Sequence, residues 1–468
     1  MSHDSPRTSA TAGIGALGET DRRHVMHPFS VLQQHEQAGP RRMMVRGSGS
    51  TVYDEDGRGY IDAMAGLWCV NVGYGRRELA DALREQALAL SYYHSFSSMA
   101  TATPALLAER LIDLAPGDMS KVLYGTSGSD ANDTQIKLVR LYNNLLGRPR
   151  KKKVIARHRG YHGVSIASGS LTGFDGMHAG FDLPMEGVLH TRPPYRLHEA
   201  RPGESDAEFV ARLAAELDEL IVAEGPDTVA AFIAEPVQAA GGVIVPPEGY
   251  FAAIQKVLHR HDVLLIADEV VCGFGRLGTW FGSDVFGVEP DLITVAKGIT
   301  SAYVPLSACI VSERVWRVLS DEAGPRTFAH GYTYSSHPLA AACALANLDL
   351  MERDDLIAQA GERGASLNSK LRAAFDRHPL VGEVRGLGLI ASVEFVAERA
   401  PTKLFEPLGR VAARVDAGCL ERGVITRALP ESDTISFCPP FVITETEIDE
   451  IVDVAREAAD VVAAELDG

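Results

Sequence analysis

The reactive possibilities of this chain gather at the ends of two apolar runs. Leu292-Ile-Thr-Val-Ala-Lys-Gly298 ends its run in Lys297, and Val263-Leu-Leu-Ile-Ala-Asp268 ends another in Asp268. A lysine at the mouth of a buried strand loses hydration, which lowers its pKa and leaves a neutral amine able to form a Schiff base with an aldehyde. An aspartate at the end of a neighbouring strand can hold the proton of a pyridine nitrogen and keep that ring an electron sink for a carbanion. Taken singly, Asp268 could cap a helix and Lys297 could be a strand-end side chain reaching for water. The two are 29 positions apart (297 − 268), about one strand-to-strand crossover, and both sit where open α/β sheets bind ligands. Together they point to pyridoxal phosphate.

Other motifs supply what such a cofactor needs. Gly125-Thr-Ser-Gly-Ser129 follows an apolar run and leads towards a helix predicted over 134–145. Small residues at a strand-to-helix turn let backbone N–H groups approach a phosphate, so Ser127, Gly128 and Ser129 are the expected cradle. Arg159-Gly-Tyr-His-Gly163 offers Tyr161 as an aromatic to lie on a flat ring, although a core tyrosine would look the same. Ala234-Glu-Pro-Val-Gln238 ends a further run, with Glu235 and Gln238 directed into the same mouth. His158 and His162 straddle a turn and have no third ligand nearby, so no metal is expected.

These motifs need a scaffold of alternating strands and helices. Apolar runs at 121–124, 153–156, 229–234, 263–267, 292–296 and 306–311 are separated by helical stretches such as 207–223 and 250–261. That alternation predicts an α/β fold with a mostly parallel sheet covered on both faces. Ahead of it, Thr51–Asp62 reads as a hairpin around Asp56-Gly57. Near Leu350 the character changes: 351–377 reads as one long amphipathic helix, 381–394 as a Gly-spaced strand, and Thr444-Glu-Thr-Glu447 as a capping box opening a last helix to about Leu466. The expected organisation is a flexible tail over 1–24, an N-terminal segment over 25–60 packing with the small domain, a large domain over 61–348 and a small α+β domain over 349–468.

At 468 residues and a net charge of −17 the chain can bury an ample core and is a poor partner for nucleic acid. Six scattered cysteines without CxxC spacing read as reduced core residues, and the cytoplasm is the expected location. The first residues lack the apolar core of a secretion signal, and no run is long enough to span a membrane.

The chain resembles the class III, or omega, aminotransferases of the fold type I pyridoxal-phosphate enzymes. The resemblance covers about residues 25–465 and rests on Gly66-Leu-Trp-Cys-Val-Asn-Val-Gly-Tyr-Gly75, Ser127-Gly-Ser-Asp-Ala-Asn-Asp133, Tyr161-His-Gly163, Asp268-Glu-Val-Val-Cys-Gly-Phe-Gly275, Ala296-Lys-Gly298 and Gly331-Tyr-Thr-Tyr-Ser-Ser-His-Pro338. The first of these is most similar to the amine:pyruvate branch. The resemblance implies that Lys297 is the Schiff-base lysine and proton shuttle, Asp268 the pyridinium partner, Val270 a ring-face contact, Tyr161 the stacking aromatic and Gln238 the partner of the ring hydroxyl. It implies that Thr333 reaches the phosphate in the other subunit of a homodimer with shared sites, and leaves open whether dimers pair into tetramers. Trp68, with Phe29 and Phe96 offered across the interface, would wall the amine pocket, and Arg427 would bind a substrate carboxylate. Asp130 departs from the family, which more often has glutamate there. The implied activity is ping-pong transfer of an amino group from a primary amine or omega-amino acid to pyruvate or another oxo acid. A taurine or β-alanine:pyruvate aminotransferase, an aminomutase and a decarboxylating transaminase share these residues, and a non-catalytic regulator is disfavoured by the intact Lys297 and Asp268.

Overall fold

The computed structural model of the chain describes residues 14–321 and 327–467. Its central sheet has seven strands: β1 (Met119–Gly125), β2 (Lys153–Arg157), β3 (Val188–Thr191), β4 (Val229–Ala234), β5 (Leu264–Asp268), β6 (Leu292–Val295) and β7 (Ser307–Ser312). They lie in the order β1-β7-β6-β5-β4-β2-β3. Only β7 opposes its neighbours; the remaining pairings are parallel. Every residue of β4 and β5 is buried, as expected of strands covered on both faces by helices. The six strands read from the sequence lie within two residues of those observed. The additional strand β3 is a short, half-buried edge whose pattern carries little signal.

The parallel arrangement brings the C-terminal ends of β1, β2, β4, β5 and β6 to one edge of the sheet. After β1 the helix starts at Gly128, six residues before the predicted start at Thr134. Its first turn is built of small and polar residues, and a reciprocal cap compensates for their weak helix propensity. The Ser127 hydroxyl accepts the Asp130 N–H at 3.2 Å while the Asp130 carboxylate accepts the Ser127 N–H at 3.0 Å.

Two expectations for the C-terminal part are corrected. The stretch 351–377 is not one helix: Pro338–Arg353 and Leu356–Phe375 are separated by a break at Asp355, whose φ is 50°. The first of these helices therefore crosses the expected boundary at 348/349 and packs on helices Arg77–Leu90 and Ala102–Leu114. The stretch 381–394 is a hairpin of Val381–Gly386 and Ala391–Phe395, which joins Thr434–Phe437 and Arg427–Ala428 in a four-stranded antiparallel sheet. Helix Glu445–Asp467 closes the chain behind its cap, in which Thr444 N–H meets the Glu447 carboxylate at 2.8 Å.

At the other end, strands Met44–Ser48, Thr51–Asp54 and Gly59–Asp62 form a meander that Val424–Ile425 joins in parallel. Part of the expected flexible tail is ordered: Ile14–His24 is a helix lying against helix Leu32–Ala38, while residues 1–13 fall outside the described residues. Glu19 bridges Arg22 and Arg23 along that helix, an i,i+3 and i,i+4 arrangement that supports it. Among the described residues no helix is long and apolar enough to cross a membrane.

Candidate active site

Asp268 is the last residue of β5 and pairs in register with Thr294 of β6, so Lys297 emerges just beyond the end of the neighbouring strand. Lys297 takes a left-handed backbone conformation, φ 48°, which is strained for a residue with a long side chain. Burial lowers its pKa from 10.5, and the opposing fields of Cys69, Asp268 and Glu235 only reduce that effect. Its Nζ lies 5.7 Å from the centre of the Trp68 ring.

Asp268 is held by a buried web. His162 Nδ1 is 2.8 Å from its Oδ2 and placed to donate, Asn132 Nδ2 donates to the same oxygen at 2.9 Å, and the Val270 N–H donates to Oδ1 at 3.1 Å. Asn132 is itself fixed by donating to the His162 carbonyl at 2.7 Å and accepting the Thr294 hydroxyl at 2.8 Å. Asn132 and His162 stand inside motifs visible in the sequence, but nothing in those motifs marks them as braces for Asp268. The signal for Asn132 was a polar residue on the apolar face of the helix that starts at Gly128.

A cavity of about 160 Å³ opens beside this pair, lined by Trp68, Gly128, Ser129, Tyr161, His162, Gly163, Glu235, Ala240, Asp268, Val270, Val271, Ala296 and Lys297. Gly128 and Ser129 offer first-turn amides that an α-helix leaves without internal partners. A Cβ at Gly163 would lie 2.3 Å from Ser168 Oγ, and its φ of 135° also requires glycine. Ser127 does not line the cavity; its hydroxyl serves the helix cap. Asp130, the position that departs from the family habit, completes that cap and also accepts the Ser307 hydroxyl at 2.9 Å.

Glu235 is buried and positions Tyr161 by accepting its N–H at 3.0 Å, while its other oxygen accepts the Ala239 N–H at 3.1 Å; burial raises its pKa. Gln238 lies behind the lining, donating to the His158 carbonyl at 3.0 Å, and its buried Oε1 has no hydrogen-bond partner. His158 faces His190 rather than His162, with ring centres 5.3 Å apart.

A second cavity of about 330 Å³ adjoins the first and is lined by Pro28, Phe29, Leu67, Trp68, Tyr161, Met177, Ala240, Lys297, Arg427 and Pro430. Phe29, expected across an interface, thus lines the cavity of its own chain, because the loop after helix Ile14–His24 runs over that cavity. Trp68, Tyr161, Ala240 and Lys297 line both. Trp68 is carried by a tight turn that Asp62 organises, accepting the Met64 N–H at 3.0 Å, the Gly66 N–H at 2.6 Å and the Tyr74 hydroxyl at 2.6 Å. Nothing in the sequence pattern around Asp62 announces this role. Arg427 sits where the chain passes from the N-terminal sheet to the small-domain sheet, since Val424–Ile425 pairs with the first and Arg427–Ala428 with the second. Among the described residues no carboxylate lies within ion-pair distance of its half-buried guanidinium, so the surface ion pair that would make it ordinary is missing.

Phe96 and Thr333 line neither cavity of this chain. Both are exposed, and their segments lie together: the Tyr92 hydroxyl donates to the Thr333 carbonyl and the Ser95 hydroxyl to the Ser335 carbonyl.

A buried amine of lowered pKa, a braced carboxylate, free helix-start amides and the unpartnered Gln238 oxygen suit an aldehyde, a ring nitrogen, a phosphate and a ring hydroxyl in turn. That donor set fits pyridoxal phosphate. The family profile described as "Aminotransferase class-III" matches residues 32–458. The chain belongs to the class III aminotransferases. It is similar to the diaminobutyrate–2-oxoglutarate transaminase of Halomonas elongata, 52% identical over 442 residues that cover 93% of this chain and 94% of that one. It is also similar to gamma aminobutyrate transaminase 1, mitochondrial, of Solanum lycopersicum, 44% identical over 93% of this chain and 84% of that one. An omega-transaminase from Pseudomonas jessenii, solved in complex with PMP, superposes with a TM-score of 0.93 at 44% identity, covering 96% of this chain and 98% of that one. This aminotransferase therefore has the fold type I architecture, uses pyridoxal phosphate and moves amino groups between small amino and oxo compounds.

Proposed function

We propose that this aminotransferase takes the amino group of a primary amine or omega-amino acid and passes it to pyruvate or another oxo acid in a ping-pong cycle. The observation that carries the reading is the second cavity, where an apolar wall of Phe29, Leu67, Trp68 and Met177 faces the unpaired Arg427 guanidinium beside Lys297. Such a chamber can hold an apolar donor in one half-reaction and a carboxylate in the other.

Bound pyridoxal phosphate supplies an aldehyde for the amine and a protonated ring that accepts the electron pair of the substrate C–H bond. Lys297 would tether it between turnovers, and its Nζ, whose pKa burial lowers, would take up the proton leaving the substrate carbon. Asp268, braced by His162 and Asn132, would hold the ring-nitrogen proton. Tyr161 and Val270 would bound the ring, the Gly128 and Ser129 amides would meet the phosphate, and the unpartnered Oε1 of Gln238, just behind the lining, would turn to the ring hydroxyl. Arg427 binds the oxo-acid carboxylate through a two-pronged, charge-assisted contact and leaves room when the donor has none. Phe96 and Thr333 complete the site of a second copy, so the working unit is a dimer.

A narrower reading draws on the relatives that act on diaminobutyrate and gamma-aminobutyrate: Arg427 would then meet an acid group on donor and acceptor alike. A donor-by-acceptor screen separates the two. Alanine formed from pyruvate with a carboxylate-free amine supports the broad reading. Turnover confined to carboxylated donors, or to 2-oxoglutarate as acceptor, replaces it with the narrower one.

A further inference from the structure

Outside the active site, the N-terminal helical pair gathers three metal-ligating side chains. Asp21 lies in the last turn of helix Ile14–His24, His27 in the connecting loop and His35 in the last turn of helix Leu32–Ala38. His27 Nε2 is 2.9 Å from Asp21 Oδ1, whereas His35 Nε2 is 3.6 Å from that same oxygen, too far for a hydrogen bond. His35 Nε2 is buried and has no hydrogen-bond partner, although its side chain is only 10% exposed. The two imidazoles lie with ring centres 4.2 Å apart, and the three potential ligand atoms all fall within 4.8 Å of one another. One carboxylate oxygen serves one ring and leaves the other unsatisfied, an arrangement that costs free energy in a protein interior.

We propose that Asp21, His27 and His35 bind one divalent ion of the zinc class. A tetrahedral zinc ion holds imidazole nitrogen and carboxylate oxygen at ~2.0–2.2 Å, which places ligand atoms about 3.3 Å apart. The two present separations on Asp21 bracket that value, and the two imidazole nitrogens lie within 4.8 Å of each other, so closing the trio on one ion takes side-chain rotation without movement of either helix. Two imidazoles and a carboxylate form a donor set suited to zinc and its transition-metal neighbours, with a fourth position for water. No such trio is legible in the sequence, because His27 and His35 are brought beside Asp21 only by the turn between the two helices.

The ion would do more than hold a terminus. Pro28 and Phe29, on the loop directly after His27, line the substrate cavity. Loading the site fixes that loop, so the ion governs how firmly the donor wall is held without touching Lys297. The test uses untagged, cofactor-loaded protein, stripped with a chelator and titrated with Zn²⁺ against a competing chromophoric indicator, with elemental analysis after dialysis. One ion per chain is expected, together with slowed amide exchange over residues 25–31. Asp21→Asn and His35→Gln are each expected to weaken binding by roughly 100-fold or more, since even outer partners of metal ligands are worth ~10–100-fold. His27→Ala, on a half-exposed loop position, gives a variant that leaves the fold intact. Its cofactor absorbance is expected to be unchanged while the zinc equivalent is lost. Absence of a zinc equivalent in the parent protein, or an affinity in all three variants equal to the parent's, overturns the proposal.

Discussion

Arg427 is the side chain on which substrate choice turns in our reading, because it is a half-buried cation with no carboxylate within ion-pair distance among the described residues. Arg427→Ala is expected to raise the KM for pyruvate about 10–100-fold, the range for losing hydrogen bonds to a charged group, while leaving a carboxylate-free amine nearly unaffected. Initial rates with each substrate varied in turn measure this, and equal losses for both would remove the arginine from acceptor binding. Asn132 acts at one remove, as a positioning residue for Asp268. Asn132→Ala is expected to weaken pyridoxal phosphate about 10-fold in equilibrium dialysis while leaving the borohydride label on Lys297 in place. Lys297 and Asp268 were legible because each ends an apolar run, and a charged residue there has few reasons to exist. His162 was not, since the contact that gives it meaning crosses the fold: it meets Asp268 from 106 positions away. Asp62 was not either, because its partners Met64, Gly66 and Tyr74 form an irregular turn that no simple periodicity announces.

Secondary structure positions the site through close backbone approaches that composition only hints at. Helix Leu356–Phe375 lies directly on the turn between the small-domain strands, where a Cβ at Gly364 would come within 2.2 Å of the Gly388 backbone. Gly364→Ala is therefore expected to destabilise the enzyme by about 1–3 kcal/mol, read as a lower urea midpoint at unchanged m-value. The buried Arg276 ties the same region to the large domain, donating to the carbonyls of Leu389 and Pro439 and to Asn71 Oδ1 at 2.8 Å. The strands of the central sheet were readable because continuous apolar runs bounded by small residues leave little choice. The break at Asp355, the split of 381–394 into a hairpin and the passage of 424–428 between two sheets were not. Each is decided by what the segment packs against, while the local pattern suits a longer uniform element equally well.

For the whole molecule, one buried acid gives a measurable pH dependence. Glu269 is fully buried and accepts the Gly282 N–H and both the N–H and hydroxyl of Ser283, yet burial outweighs these donors and raises its pKa from 4.5 to about 7. Between those values the folded chain holds a proton that the unfolded chain releases. Stability is accordingly greatest below pH 4.5 as far as this group is concerned, falls as pH rises to about 7, and is then flat. The span is about 3 kcal/mol, and Glu269→Gln is expected to flatten that part of a chemical-denaturation profile taken at several pH values. The exposed Phe96 and Tyr334, 48% and 58% accessible in the single chain, belong in our reading to an interface between copies. Light scattering is expected to give twice the 50.3 kDa chain mass, and Tyr334→Asp to shift the population towards single chains with loss of turnover.

The two cavities share a floor and part of a wall, and what the second adds comes in part from early in the chain. The floor, with its lysine and aspartate, is built from the heart of the sheet, whereas Pro28 and Phe29 come from a stretch that precedes every strand. A lineage or a mutant library can therefore rewrite that short appendage to admit bulkier donors while the reacting groups stay in place.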